Sequence, residues 1–167
     1  MSHLIRLLTP ADAPAFVALR TQALLDVPHA FTNTPEEDRS LEEIAHSLEK
    51  ESGYAIIGAL DGGRLVGIRG VIREPWIKMA HLATIWGVYV APEHRRRGIA
   101  RAMVARAIEA ARSWPGVARV RLSVSAESPE ARRVYESLGF KAWGVEPDVL
   151  RVGGRSFDEV YLTLPLS

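Results

Sequence analysis

The chain reads as an α/β (α+β) protein whose mixed, mostly antiparallel central sheet is flanked by helices. Three observations predict this. Short β-favouring runs and longer amphipathic helical stripes are interspersed along the whole length. Two early runs, Tyr54 to Leu60 and Leu65 to Ile72, are joined by Asp61-Gly62-Gly63-Arg64, a strong hairpin signal. A third run, His81 to Val90, passes into a helical pattern through a basic turn, Pro92-Glu93-His94-Arg95-Arg96-Arg97-Gly98.

The elements follow in order. Leu4 to Leu8 reads as a first strand, and Thr9-Pro10-Ala11-Asp12 opens a helix running to about Asp26. A loop from Pro28 to Asn33 holds His29 and Phe31. Thr34-Pro35-Glu36-Glu37 and Ser40-Leu41-Glu42-Glu43 both have capping-box spacing, so a broken helix should reach Lys50. After the basic turn, Ala100, Met103, Val104, Ala107, Ile108 and Ala111 form one apolar helical stripe. Val120 to Val124 alternates as a half-buried strand. Ser128-Pro129-Glu130 then starts another helix, with Ser128 as N-cap and Pro129 at the first helical position. Gly139 ends that helix. Strands from Phe140 to Val145 and Phe157 to Leu164 close the chain around a Gly153-Gly154 turn. Repeats, linkers and low-complexity segments are absent, so the 167 residues read as a single domain, 1–167.

Composition narrows the function. Hydrophobic and charged fractions of 47% and 25% are those of an ordinary globular protein. A net charge of +1 argues against electrostatic capture of nucleic acid, which needs a broad basic face. The chain has no cysteine, which excludes disulfides, thiolate metal sites and cysteine nucleophiles. His29, His46 and His94 show no metal-binding spacing, so no metal is expected. With neither a secretory pattern nor a membrane-length apolar run, the expectation is a cytoplasmic monomer or homodimer without membrane or nucleic-acid partners.

The basic turn carries the chemistry. A strand feeding a helix through such a turn aims backbone N–H groups and the positive end of the helix dipole at one point. Arg95, Arg96, Arg97 and Arg101 add donors around it, which suits a phosphate-bearing cofactor. The competing reading is a solvated arginine surface.

Two motifs now bear on the family. Arg95, Gly98 and Ala100 match Arg/Gln-x-x-Gly-x-Gly/Ala, while Ser128, Ala131, Tyr135, Gly139 and Phe140 match Asn-x-x-Ala-x-x-x-Tyr-x-x-x-Gly-Phe with Ser in place of Asn. In this order and context the chain resembles the GCN5-related N-acetyltransferases (GNAT). The resemblance covers nearly the whole chain. It implies the acyl-CoA N-acyltransferase fold, with a sheet splayed at the cofactor site and acetyl-CoA as cosubstrate. It also implies transfer of the acetyl group to a primary amine (a small amine, an amino acid or a peptide N-terminus) by direct attack in a ternary complex. Coenzyme contacts then fall to Val88, Tyr89 and Val90, to Arg95 through Arg101 (with Ile99 inside the run), to Ser128 and to Tyr135. A regulatory module that binds acyl-CoA without turnover is the alternative.

Acetyl transfer needs an amine without its extra proton, stabilisation of the carbonyl oxygen, and a proton for the departing thiolate. Phenols ionise near pH 10 and thiols near 8.5, so proton donation from phenol to thiolate is uphill by only about 2 kcal/mol. Tyr135 is the candidate acid by its motif, or else an ordinary core tyrosine. Gly87 interrupts its strand and marks either a bulge beside Val88, Tyr89 and Val90, where the resemblance puts carbonyl polarisation, or tight packing by Trp76 or Trp143. Candidate amine bases are Glu37, within the Glu36-Glu37-Asp38 cluster, and His81. The cluster would also suit a helix start, and His81 a strand edge.

Overall fold

The computed structural model describes residues 2–167. Its elements are β1 (Leu4–Leu7), α1 (Ala13–Asp26), α2 (Leu41–Leu48), β2 (Tyr54–Asp61), β3 (Arg64–Arg73), β4 (Leu82–Val90), α3 (Ile99–Ser113), β5 (Arg119–Ser125), α4 (Pro129–Ser137), β6 (Lys141–Val152) and β7 (Arg155–Pro165). Among these residues no helix is long and apolar enough to cross a membrane.

One seven-stranded sheet runs in the order β1-β2-β3-β4-β5-β7-β6. Every neighbouring pair is antiparallel except β4 and β5. The β2–β3 hairpin turns on Gly62 and Gly63 at φ +54° and +86°, the left-handed pair that a two-residue turn between twisted strands requires. In β2, consecutive Ile56 and Ile57 are both fully buried and belong to opposite core layers. Such a run marks a strand covered on both faces. Ile56 packs with Phe16, Leu19 and Ala23 of α1, and Ile57 with Met103, Val104 and Ala107 of α3.

Two capping segments behave as their spacing predicts, though the helix they were expected to form is shorter. Ser40 Oγ accepts the Glu43 N–H while Glu43 accepts the Ser40 N–H. The Thr34 segment makes only a 3₁₀ turn, Pro35–Glu37, and α2 ends at Leu48.

The last two strands are longer than expected. β6 runs on through Pro147 because it is an edge strand and bulges there, which a proline tolerates. At the bulge Asp148 adopts φ +53° and its N–H donates to the Asp158 carboxylate at 2.9 Å. Phe140 lies outside the strand it was expected to start.

The feature that positions the site is the parting of β4 and β5. They pair only from Leu82 to Thr84 against Arg119 to Arg121. Beyond Thr84, the edge of β4 that faces β5 is unpaired. Gly87 sits at φ +66°, and the β3–β4 register slips from Ile68 opposite Tyr89 to Gly70 opposite Trp86. This is the bulge reading of Gly87. Trp76 and Trp143 are exposed and do not pack on it. Trp86 instead lies across Gly70, where an added Cβ would stand 2.1 Å from the indole ring.

Candidate active site

The splay opens a cavity of about 590 Å³ walled by Val88, Tyr89 and Val90, by the start of α3 and by Val134 and Tyr135 of α4. The turn before α3 is built for an anion. Arg96 and Gly98 take φ +61° and +75°, and the backbone N–H groups from Arg96 through Arg101 find no acceptor among the described residues. Consecutive free N–H groups with alternating backbone hand form a concave donor surface at a helix N-terminus. A Cβ at Gly98 would meet nothing within 4 Å, so a ligand can approach the backbone there. Arg96, Gly98, Ile99, Ala100 and Arg101 all wall the cavity. This surface fits the pyrophosphate of acetyl-CoA.

The other arginines part company. Arg95 is exposed and also walls the cavity, but its guanidinium is engaged within the protein: its Nε donates to the Val90 carbonyl at 2.9 Å and its Nη2 to Asp26 at 2.8 Å. Arg97 is exposed and lies off the cavity wall. Asp26 also accepts the Tyr89 hydroxyl at 2.9 Å, and that bond, with the Arg95 guanidinium, holds its carboxyl below the ordinary range. Burial and the same carboxylate push the Tyr89 phenol up.

Ser128 occupies the N-cap position without capping: its side chain makes no cap hydrogen bond, and only its carbonyl engages the helix, accepting the Arg132 N–H. It does not wall the cavity either. At the other end of α4 the Tyr-x-x-x-Gly-Phe spacing has a clear physical basis. The Phe140 N–H donates to the Tyr135 carbonyl and the Gly139 N–H to the Glu136 carbonyl, a Schellman cap with Gly139 at φ +95°. The accompanying apolar contact is Phe140 edge-on to Tyr135, ring centroids 6.0 Å apart. The cap therefore seats Tyr135 against the cavity, 4% exposed.

The Tyr135 oxygen accepts a hydrogen bond from Arg69 Nη2 at 2.5 Å. Arg69 is 2% exposed on β3 and also walls the cavity. Sequence reasoning passed over it. The available signal was an arginine inside Gly67-Ile68-Arg69-Gly70-Val71, an otherwise apolar strand.

A second cavity of about 390 Å³ lies on the α1 and α2 face of the splay. It shares Ala30 and Phe31 with the first and abuts it along Gly87 and Val88. Trp86 and Tyr54 give it an aromatic side, and its carboxylates are Asp38 and Glu159. Asp38 is ion-paired with Arg20 at 3.0 Å and accepts Asn33 Nδ2 at 2.9 Å. Glu159, half-buried on β7, has no ion pair or side-chain hydrogen bond among the described residues.

The two expected bases are not brought here. Glu37 is exposed, lines neither cavity, and accepts the Thr34 N–H at 2.9 Å. Its carboxylate is used in starting a turn. His81 is exposed just before β4, at the end where β4 and β5 still pair. At about 3.3 Å per strand residue it stands roughly 20 Å from Val88. Glu159 was hidden because it lies in the last strand, far in sequence from both motifs.

Behind the basic turn, His3 Nε2 lies 3.2 Å from His94 Nδ1, which in turn is 3.8 Å from Asp61. These three side chains converge although their sequence spacing shows no metal pattern.

The Acetyltransferase (GNAT) family profile matches residues 21–140. The aminoglycoside N(6')-acetyltransferase type 1 of Stenotrophomonas maltophilia is 27% identical over 141 residues, covering 82% of this chain and 85% of that protein. The spermidine N(1)-acetyltransferase of Vibrio cholerae is 29% identical over 89 residues. That match spans 53% of this chain and only about half, 51%, of the relative. The structure of yncA from Salmonella typhimurium, solved with its cofactor acetyl-CoA, superposes with a TM-score of 0.87 at 22% identity. The superposition covers 100% of this chain and 95% of that one.

Proposed function

The chain belongs to the GNAT acetyltransferase family, and on that premise we propose that it acetylates a primary amine with acetyl-CoA by direct attack in a ternary complex. The acceptor classes are a small amine, an amino acid or a peptide N-terminus. One observation carries the reading: two cavities abut across the splayed strands, with Tyr135 on the coenzyme side and Glu159 on the other.

Each residue has a task. The N–H groups at the start of α3, with Arg96 and Arg101, hold the pyrophosphate. Acetyl-CoA supplies the activated acyl carbon when bound. The unpaired edge of β4 at Val88 to Val90 orients the thioester and polarises its carbonyl. Glu159 attracts the cationic acceptor, which gives its extra proton to water before attack, and the carboxylate takes the second proton that nitrogen loses as the amide forms. Tyr135 donates its phenolic proton to sulfur as the C–S bond breaks.

Thiol release from acetyl-CoA across a panel of primary amines tests the activity. Tyr135→Phe keeps the ring and its contact with Phe140. It should lower kcat by roughly 10²–10⁴ with coenzyme Kd little changed. Glu159→Gln should mainly raise the acceptor KM and lower kcat at neutral pH. Near-normal turnover in Tyr135→Phe would remove the general-acid role. No thiol release with any amine, despite tight coenzyme binding, would favour a binding module.

A further inference from the structure

Arg69 is chemically out of place. It stands in the middle of an apolar strand, is 2% exposed, and has no ion pair among the described residues. Its Nε and Nη1 have no hydrogen-bond partner among the described residues. A guanidinium withdrawn from water without a carboxylate is strongly unfavourable for folding. Its one hydrogen bond is to the Tyr135 hydroxyl, over whose ring it also lies, 5.1 Å from the centroid. Glu130 is the carboxylate on the wall of the same cavity, and it is exposed and unpaired with Arg69.

We propose that Arg69 is the positioning residue and counter-charge of the proton-transfer step. It directs the Tyr135 hydroxyl proton into the cavity and meets the negative charge left on the phenolic oxygen. This rests on the reading of Tyr135 as general acid.

The argument is one of donors and lone pairs. Guanidinium has only donors, so at 2.5 Å the Tyr135 oxygen must accept from it. The Tyr135 O–H therefore points away from Arg69. When the amine nitrogen bonds to the acyl carbon and the C–S bond breaks, sulfur keeps the bonding pair and takes the Tyr135 proton. The resulting phenolate would be a bare buried anion without Arg69. With it, the bond from guanidinium to neutral phenol becomes an ion pair in a low-dielectric setting, where it is strongest. Glu159 holds the proton lost by nitrogen, and exchange with water restores the phenol.

The bulge places this charge. The β3–β4 register passes from Ile68 opposite Tyr89 directly to Gly70 opposite Trp86, so Arg69, paired with Ile57 of β2, has no partner on β4 and faces Gly87 and Val88 there. The irregularity that opens the splay also sets the cation beneath it.

The test uses Arg69→Met, Arg69→Gln and Arg69→Lys, each alone and with Tyr135→Phe. Expected for Arg69→Met and Arg69→Gln is a kcat loss of roughly 10–100-fold, with coenzyme Kd by calorimetry within about 3-fold. Melting temperature should be unchanged or raised, because an uncompensated buried charge is gone. Arg69→Lys should recover part of kcat. In the Tyr135→Phe background, Arg69→Gln should cost less than about 2-fold more, since the two act as one unit. Impaired Tyr135→Phe with fully active Arg69→Gln overturns the proposal alone. Equal losses in both backgrounds, or a kcat loss that tracks lost melting temperature, also overturn it. Active Tyr135→Phe removes the general-acid reading itself.

Discussion

Arg95 Nη2 donates to Asp26 at 2.8 Å, tying the last residue of α1 to the turn that precedes α3. The same guanidinium lies over the Tyr89 ring, 5.5 Å from its centroid, and holds the Val90 carbonyl. The motif arginine, which also walls the first cavity, thus braces the turn before α3 against α1 and β4, three elements that meet only in the fold.

A brace and a direct phosphate ligand give different mutational patterns. Asp26→Asn and Arg95→Ala should each weaken acetyl-CoA binding by roughly 3–10-fold, and the double variant should be no worse than the poorer single. Calorimetric titration of the coenzyme reads this. Arg95 acting directly on phosphate would make Arg95→Ala far costlier than Asp26→Asn.

Gly98→Asp should abolish coenzyme binding while the protein remains folded. The φ of +75° costs a non-glycine residue about 1 kcal/mol, which a domain of this size survives. The added carboxylate, with free space around it, faces the approaching pyrophosphate. Retained affinity in a folded variant would disprove the phosphate site.

Gly70→Ala should be a severe stability variant. Its Cβ would overlap the Trp86 ring at 2.1–2.6 Å, and neither strand can move without disturbing the bulge. Overpacking of this kind costs about 1–3 kcal/mol or more. Gly144→Ala, with nothing within 4 Å of its Cβ, should be close to neutral. Thermal melting compares the two, and tryptophan fluorescence should report Trp86 displaced from the second cavity.

Acid should loosen the N-terminal strand through Asp12. Arg6 donates twice to that carboxylate, at 2.7 and 2.9 Å, and the Thr9 N–H donates at 2.7 Å. The Arg6 hydrogen bond is the largest influence and holds Asp12 well below the usual carboxylate range. Because the folded value lies below the unfolded one, the contribution is fully present above about pH 4 and fades as pH falls further. Asp12→Asn should remove about 1 kcal/mol at pH 7, a figure reduced for partial exposure, and flatten stability against pH below 4. An unchanged acid limb in Asp12→Asn would show that other carboxylates govern it.

Much of the molecule was legible in the chain because its signals are local. Gly62-Gly63 specified a hairpin, the Ala100 to Ala111 stripe a helix, and the basic turn a bend into that helix, each within a dozen residues. Tyr135-Glu136-Ser137-Leu138-Gly139-Phe140 even encoded the cap that seats its tyrosine, since every bond in a Schellman motif is local. What the tertiary structure alone decided concerns charge and its partners. Arg95 became a brace when α1 ended beside it, and Glu37 was consumed in a turn. His81 fell at the paired end of β4, away from the splay. Arg69 met Tyr135 across 66 positions, and Glu159 reached the second cavity from the last strand. Backbone conformation answers to neighbours in sequence, whereas the role of a charged side chain answers to whatever the fold brings within a few ångströms of it.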